Sequence, residues 1–258
     1  MKKILLTFDI EEFDLPREYG VKITDEQMYR VSKEGLFNII NLLRKYNLKA
    51  TFFVTANFAK EYSNLVKELD EEGHEIASHG YNHSFSKQSL NDIKSAKQEK
   101  EKVIKKIIRG YRSPRFNTDY LANLSDLGFS YDSSIHPTFI PGRYNNFFKP
   151  RGMYKIGEIT EIPPSVLPIV RLPIFWLAFK NFPAFYSKIF TRINFYFSDY
   201  LMLVFHSWEF ADLEKIDIPK FIKRKHSQKM LNSFENYVTF AKNQGYSFET
   251  VAGFLKMS

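Results

Sequence analysis

The chain reads as an α/β protein whose parallel strands close into a barrel, and three features predict it. Short apolar runs alternate with longer amphipathic ones. A glycine stands just past several of the helical stretches. The interval between strands leaves room for a helix each time, which is the spacing of a repeated strand-helix unit. Over 258 residues that register favours a barrel over an open sheet.

The elements follow in order. Ile4 to Phe8 is the first strand. Thr24 to Tyr46 is a helix: Thr24 and Gln27 have the capping-box spacing, and Val31, Leu36, Ile39, Ile40 and Leu43 share one face. A strand over Ala50 to Thr55 precedes a helix over Asn57 to Glu72 that Gly73 stops. Glu75 to Ser78 is the next strand, and Leu90 to Arg109 is a helix stopped by Gly110. Tyr111 and Arg112 begin a fourth strand; Thr118 to Leu127 is helical with Gly128 beyond it, and Phe129 to Asp132 is extended. From Ser133 the pattern lapses into a connection with seven prolines between Pro137 and Pro173, and it resumes with the strand Leu201 to Phe205. A helix from Ser227 to Gln244, ended by Gly245, and a short strand near Tyr246 to Phe248 complete the chain. No repeat or linker interrupts it, so residues 1–258 are expected to form a single domain.

Composition narrows the chemistry. Without cysteine there is no disulfide, thiolate metal site or cysteine nucleophile, so any metal must use His, Asp or Glu. The charge of +8 is spread along the chain. Its one dense segment, Lys94 to Arg109, alternates Lys with Glu as on a solvent-facing helix, and no nucleic-acid motif accompanies it, so no nucleic-acid partner is expected. The aromatic stretch from Ile174 to Phe205 is cut by Lys180, Lys188, Arg192 and Asp199, short of the roughly 18 apolar residues of a membrane span. It suits buried core with a solvated edge, and its aromatic-basic mixture also suits peripheral membrane contact or a groove wall. The first residues carry too short an apolar run for a signal peptide, which makes a cytoplasmic location the expectation.

Chemistry-bearing residues gather at strand ends. Asp9, Glu11 and Glu12 follow the first strand, at the carboxyl end where barrel side chains converge. His79 and His83 lie past the strand Glu75 to Ser78, and their spacing brings two imidazoles to one cation if the segment turns helically. Arg112 ends the fourth strand and can hold a carboxylate in a hydrogen-bonded fork. His206 ends the strand Leu201 to Phe205. Each group taken alone also suits an ordinary surface or core residue; four strand ends carrying these types together suit metal-assisted hydrolysis. His74, His136 and His226 lack that placement and are assigned structural roles.

Four segments taken in order, Thr7-Phe8-Asp9-Ile10-Glu11-Glu12, Ser78-His79-Gly80-Tyr81-Asn82-His83, Gly110-Tyr111-Arg112-Ser113-Pro114 and Leu203-Val204-Phe205-His206, resemble the motifs of the polysaccharide deacetylase family, also called NodB-homology or carbohydrate esterase family 4. The resemblance implies a distorted (β/α) barrel with about seven parallel strands and a divalent, zinc-like metal at its carboxyl face. It implies Asp9 as general base, His79 and His83 as metal ligands, Arg112 as the residue orienting the base, His206 as general acid and the Arg115 backbone N–H as oxyanion donor. Where the usual motif has a second aspartate this chain has Ile10, which cannot coordinate a cation. Some branches use an acid two positions after the base, so Glu11 is the implied third ligand and Glu12 the second choice. Asp132 or Glu161 is the implied support of His206.

The activity so implied is removal of an N-acetyl group from an amino sugar or glycan intermediate. Two alternatives stay open: a metal-independent hydrolase of another small amide or cyclic ureide on the same fold, and a catalytically silent carbohydrate-binding protein.

Overall fold

Seven strands form one path through the described residues, each parallel to its neighbours on that path: β1 (Lys3–Ile10), β2 (Thr51–Val54), β3 (Glu75–Ser78), β4 (Gly110–Tyr111), β5 (Tyr131–Asp132), β6 (Ile159–Glu161) and β7 (Tyr200–His206). Their neighbour order is β7-β1-β2-β3-β4-β5-β6. The computed structural model describes residues 2–83 and 88–257. Beyond β6 the chain meets β7 through two hydrogen bonds rather than a ladder: Ser165 N–H donates to the Met202 carbonyl at 3.2 Å, and Met202 N–H donates to Ser165 Oγ at 2.9 Å. The result is a distorted (β/α) barrel.

Side chains sort by the two-residue period of a strand. On β1, Ile4, Leu6, Phe8 and Ile10 belong to the large core between sheet and helices, whereas Leu5 joins Phe53, Ala77, Tyr131 and Met202 in a smaller cluster inside the barrel. Thr7 and Asp9 share the inner face with Leu5, and both receive Arg112 there. Ile10 therefore faces away from the site, and Glu11 is the next residue in phase with Asp9.

The helix α1 (Asp25–Tyr46) starts with the expected capping box between Thr24 and Gln27. Its Gly35 packs so close to the turn after β7 that a Cβ there would lie 1.8 Å from the Ser207 carbonyl oxygen. The single helix expected over 57–72 is instead two, α2 (Ala56–Glu61) and α3 (Ser63–Glu71), divided at Tyr62 (φ −125°, ψ 48°). The Tyr62 ring is lodged against Phe58 and Tyr29, while α3 buries Leu65, Val66 and Leu69.

The helix α4 (Leu90–Ile104) ends at Lys105 in the left-handed region (φ 55°), before the expected Arg109. Burial of Ile108, whose N–H donates to Glu101 Oε1 at 2.9 Å, draws the chain out of the helix towards β4. Residues 118–127 form turns with one short 3-10 segment, Leu121–Asn123, rather than the expected helix.

The proline-rich region is more ordered than its sequence suggests. It holds a hairpin (Phe139–Ile140 with Tyr144–Asn145), the strand Tyr154–Ile156 antiparallel to β6, and the helices α5 (Trp176–Asn181) and α6 (Ala184–Phe197). Its prolines fall between these elements and never within one, where the missing N–H is harmless. After α7 (Ser227–Asn243), the strand Ser247–Glu249 joins the start of β1. The turn Val251–Phe254 then plugs the amino end of the barrel, with Val251 N–H on Thr51 Oγ1 and Ala252 N–H on Glu75 Oε2, both at 2.9 Å. That leaves the carboxyl end for the site.

Candidate active site

Asp9 and His206 are direct neighbours in the β1–β7 register. The Arg112 guanidinium, fully buried, donates from Nη1 to Asp9 Oδ1 at 2.7 Å and to Thr7 Oγ1 at 3.0 Å. Its Nη2 and Nε reach the Ser133 hydroxyl and carbonyl, and its plane lies 4.0 Å from the Phe53 ring centroid. A buried arginine with so many donors engaged holds one geometry and fixes Asp9 in turn.

Glu11, His79 and His83 offer three ligand atoms that all lie within 4.8 Å of one another. Glu11 Oε2 is 3.3 Å from His79 Nε2 and 3.2 Å from His83 Nε2. The far side of each ring settles its tautomer. His79 Nδ1 is 2.8 Å from the Arg112 carbonyl, which can only accept, and His83 Nδ1 is 2.8 Å from Asp14 Oδ1. Each Nδ1 therefore carries a proton, which leaves each Nε2, facing Glu11, as the atom a metal would take.

Glu11 Oε2 is buried without a hydrogen-bond partner, and Trp208 Nε1–H is spent on Oε1 at 3.2 Å. A buried carboxylate oxygen facing two imidazole Nε2 atoms calls for positive charge between them, supplied either by protons on the rings or by a metal cation. Two ligand atoms about 2.0–2.2 Å from one tetrahedral zinc would stand roughly 3.4 Å apart, close to the separations seen here. The donor set thus fits a divalent metal.

Burial pushes the Glu11 carboxyl up, but the charges of His83 and His206 and the His79 contact outweigh it and hold the group well below the usual range. The same Glu11, with Asp14, carries His83 upward against its burial. Glu12, the second choice as ligand, is not in the cluster: its Oε2 accepts the His83 backbone N–H at 3.3 Å, and burial raises its pKa.

His206 Nε2 lies 4.0 Å from Asp9 Oδ2, and its Nδ1 lies 2.8 Å from Glu209 Oε1, which also accepts the His206 N–H at 2.8 Å. Burial lowers the affinity of the ring for a proton, but Glu11 and Glu209 more than offset this and the pKa is pushed up to about 9. The carboxylate behind His206 is therefore Glu209, and the expectation of Asp132 or Glu161 is corrected. Those two are buried against each other, where desolvation raises both. Asp132 accepts from the N–H and hydroxyl of Ser134, and Glu161 from the Ile135 N–H. A pair so engaged shapes the chain after β5 rather than the imidazole.

Arg115 and Phe116 follow Arg112 with φ of 59° and 57°, two consecutive left-handed residues that are not glycine. Such strain collects at functional sites. The Arg115 side chain reaches Glu18 and Asp14.

Asp9, Glu11, His79, His83, Arg115 and His206 all line one cavity of about 280 Å³, whose walls include Phe175, Trp176 and Trp208. Two supports were not legible as such. Asp14 lies in the stretch after β1, and Lys100 sits in the charged helix read as solvent-facing. Lys100 is in fact fully buried, donates to the Gly80 carbonyl at 3.1 Å between the two histidines, and is lowered by burial to about 7. The Lys/Glu alternation around it masked a lysine that turns inward, on the buried side of the helix with Ile93, Ala96, Lys97 and Ile104.

Fold and site together define a barrel hydrolase-type scaffold with a Glu-His-His cluster beside a paired Asp and His. The polysaccharide deacetylase family model matches residues 1–131, and the chain belongs to that family. The peptidoglycan deacetylase of Helicobacter pylori is 31% identical over 121 residues, 42% of this chain and 39% of that protein. The peptidoglycan-N-acetylmuramic acid deacetylase PdaA of Bacillus subtilis is 30% identical over 99 residues, 35% of this chain and 38% of that protein. The chain thus matches under two fifths of the length of each. Among solved structures, an allantoinase superposes with a TM-score of 0.66 at 13% identity, covering 99% of this chain and 89% of that one. At that identity the likeness shows the fold alone.

Proposed function

We propose that the protein is a metal-dependent hydrolase that removes N-acetyl groups from an amino sugar of a glycan or glycan intermediate. The observation that carries the reading is the triangle of ligand atoms at Glu11, His79 and His83, set in the same cavity as the Asp9–His206 pair. A zinc-like ion held by those three residues would supply Lewis-acid polarisation of the amide carbonyl and an acidified water.

The remaining chemistry belongs to the chain. Asp9, oriented by Arg112, takes a proton from the attacking water. The Arg115 backbone N–H, presented by its left-handed turn, donates to the developing oxyanion, a contact typically worth about 3 kcal/mol. His206, held by Glu209 and carrying a proton at neutral pH, delivers it to the departing amine as the C–N bond breaks. The products are acetate and a free amino sugar.

The test is acetate release from N-acetylglucosamine oligomers and peptidoglycan fragments by protein stripped of metal and then reloaded with zinc. Turnover that appears only on reloading is expected. Undiminished turnover of a small amide or cyclic ureide by the stripped protein would instead favour the metal-independent alternative.

A further inference from the structure

The helix α6 has no acidic residue, and neither has the whole stretch 162–198, which carries Arg171, Lys180, Lys188 and Arg192. One side of α6 packs on the barrel through Ser187, Phe190, Thr191, Asn194 and Phe195. The other side exposes Phe185, Ile189, Ile193, Tyr196 and Phe197, with Phe185 at 54% and Tyr196 at 83% accessibility. At about 100° per residue these five fall within an arc of roughly 120°, along a helix about 21 Å long. Lys188 and Arg192 border that arc on one side, their charged groups lying over the Phe240 ring and donating to the exposed side chains of Asn236 and Gln244.

The apolar strip does not stop at the end of the helix. Phe182, also exposed, accepts from Lys225 through its carbonyl at 3.2 Å, and Asn181 donates to the Phe221 carbonyl at 2.9 Å. Phe221 is half exposed and lines the cavity. The apolar strip on α6 thus continues through Phe182 towards Phe221 and the cavity wall, and the charged groups of the helix itself, Lys188 and Arg192, are both cationic. Large exposed apolar strips are rare on monomers, and an aromatic-rich helix flanked by Lys and Arg without acids is the composition that settles into a lipid interface.

We propose that the outer face of α6 docks on an anionic lipid bilayer, with Phe185, Ile189, Ile193 and Tyr196 entering the headgroup–acyl boundary and Lys188 and Arg192 meeting lipid phosphates. The docking holds the Phe221 side of the cavity near the membrane. It does not depend on the chemistry in the cavity.

The test is flotation of the purified full chain with vesicles of phosphatidylglycerol and phosphatidylethanolamine, against vesicles of phosphatidylcholine alone. Flotation with the anionic vesicles, weakened by salt, is expected. The triple variant Phe185→Ser/Ile189→Ser/Tyr196→Ser should lower the partition at least about tenfold, since each residue loses a large buried side chain from the lipid-bound state. Lys188→Glu/Arg192→Glu should lose the preference for anionic vesicles. Equal melting temperatures for parent and variants would show that folding is untouched. Protein that stays at the bottom of the gradient with every vesicle overturns the proposal. So does a stable dimer by light scattering that the triple variant dissociates, because a second copy would then cover the face.

Discussion

His206 Nδ1 lies 2.8 Å from Oε1 of Glu209, three residues further on, and the same oxygen accepts the His206 backbone N–H. This carboxylate is fully buried and helps hold the imidazole protonated up to about pH 9. With His206 as the proposed general acid, which works below its pKa, activity should fall as pH rises through that value. In Glu209→Gln the charge is gone, and the alkaline limb of the kcat/KM profile should move to lower pH with turnover reduced at pH 8. An unmoved limb would show that Glu209 does not set the proton on His206.

Asp14 acts on the cluster from behind, through His83 Nδ1. Outer carboxylates of this kind fix ring orientation and raise ligand basicity, and their loss typically weakens metal binding about 10–100-fold. Asp14→Asn should show that loss in competition with a chromogenic chelator while keeping its melting temperature in the absence of metal.

Arg112 and Asp9 are both buried, so removing one strands the other. Arg112→Met should destabilise the fold by about 3–5 kcal/mol, measured as a shift in urea midpoint, and the double variant Asp9→Asn/Arg112→Met should recover part of it. Asp9→Asn alone should cost turnover roughly a hundredfold to ten-thousandfold.

Gly35 couples a distant helix to the site. A methyl group there would meet the Ser207 carbonyl, so Gly35→Ala should destabilise by about 1–3 kcal/mol and displace the turn that carries Trp208 and Glu209. Thermal melts and the His206 pH profile should both change; an unshifted melt would mean that the helix simply moves away.

Strands and their chemistry were legible where one local rule decided them. The Glu75–Ser78 strand and the Thr24 cap match residue for residue, because the Gly73 stop before the strand and the cap chemistry act within a few positions. The place of Glu11, rather than Ile10, beside the two histidines also follows from strand phase: Asp9 and Glu11 point inward and Ile10 joins the outer core. What stayed hidden depends on tertiary contacts. Nothing local distinguishes Glu209 from any acid near a strand end, and only its burial under the imidazole gives it a role. The break at Tyr62 and the early end at Lys105 carry no glycine or proline, since packing of Tyr62 and Ile108 decides them. The strand β6 is three residues long between prolines and turns, too short for periodicity to show.

Anomalous diffraction from crystals grown with zinc, recorded on both sides of the zinc absorption edge, tests the proposed metal site at Glu11, His79 and His83. A single strong peak about 2.0–2.2 Å from Glu11 Oε2, His79 Nε2 and His83 Nε2 is expected. A peak elsewhere in the cavity, or none with the three side chains placed as described, would contradict it.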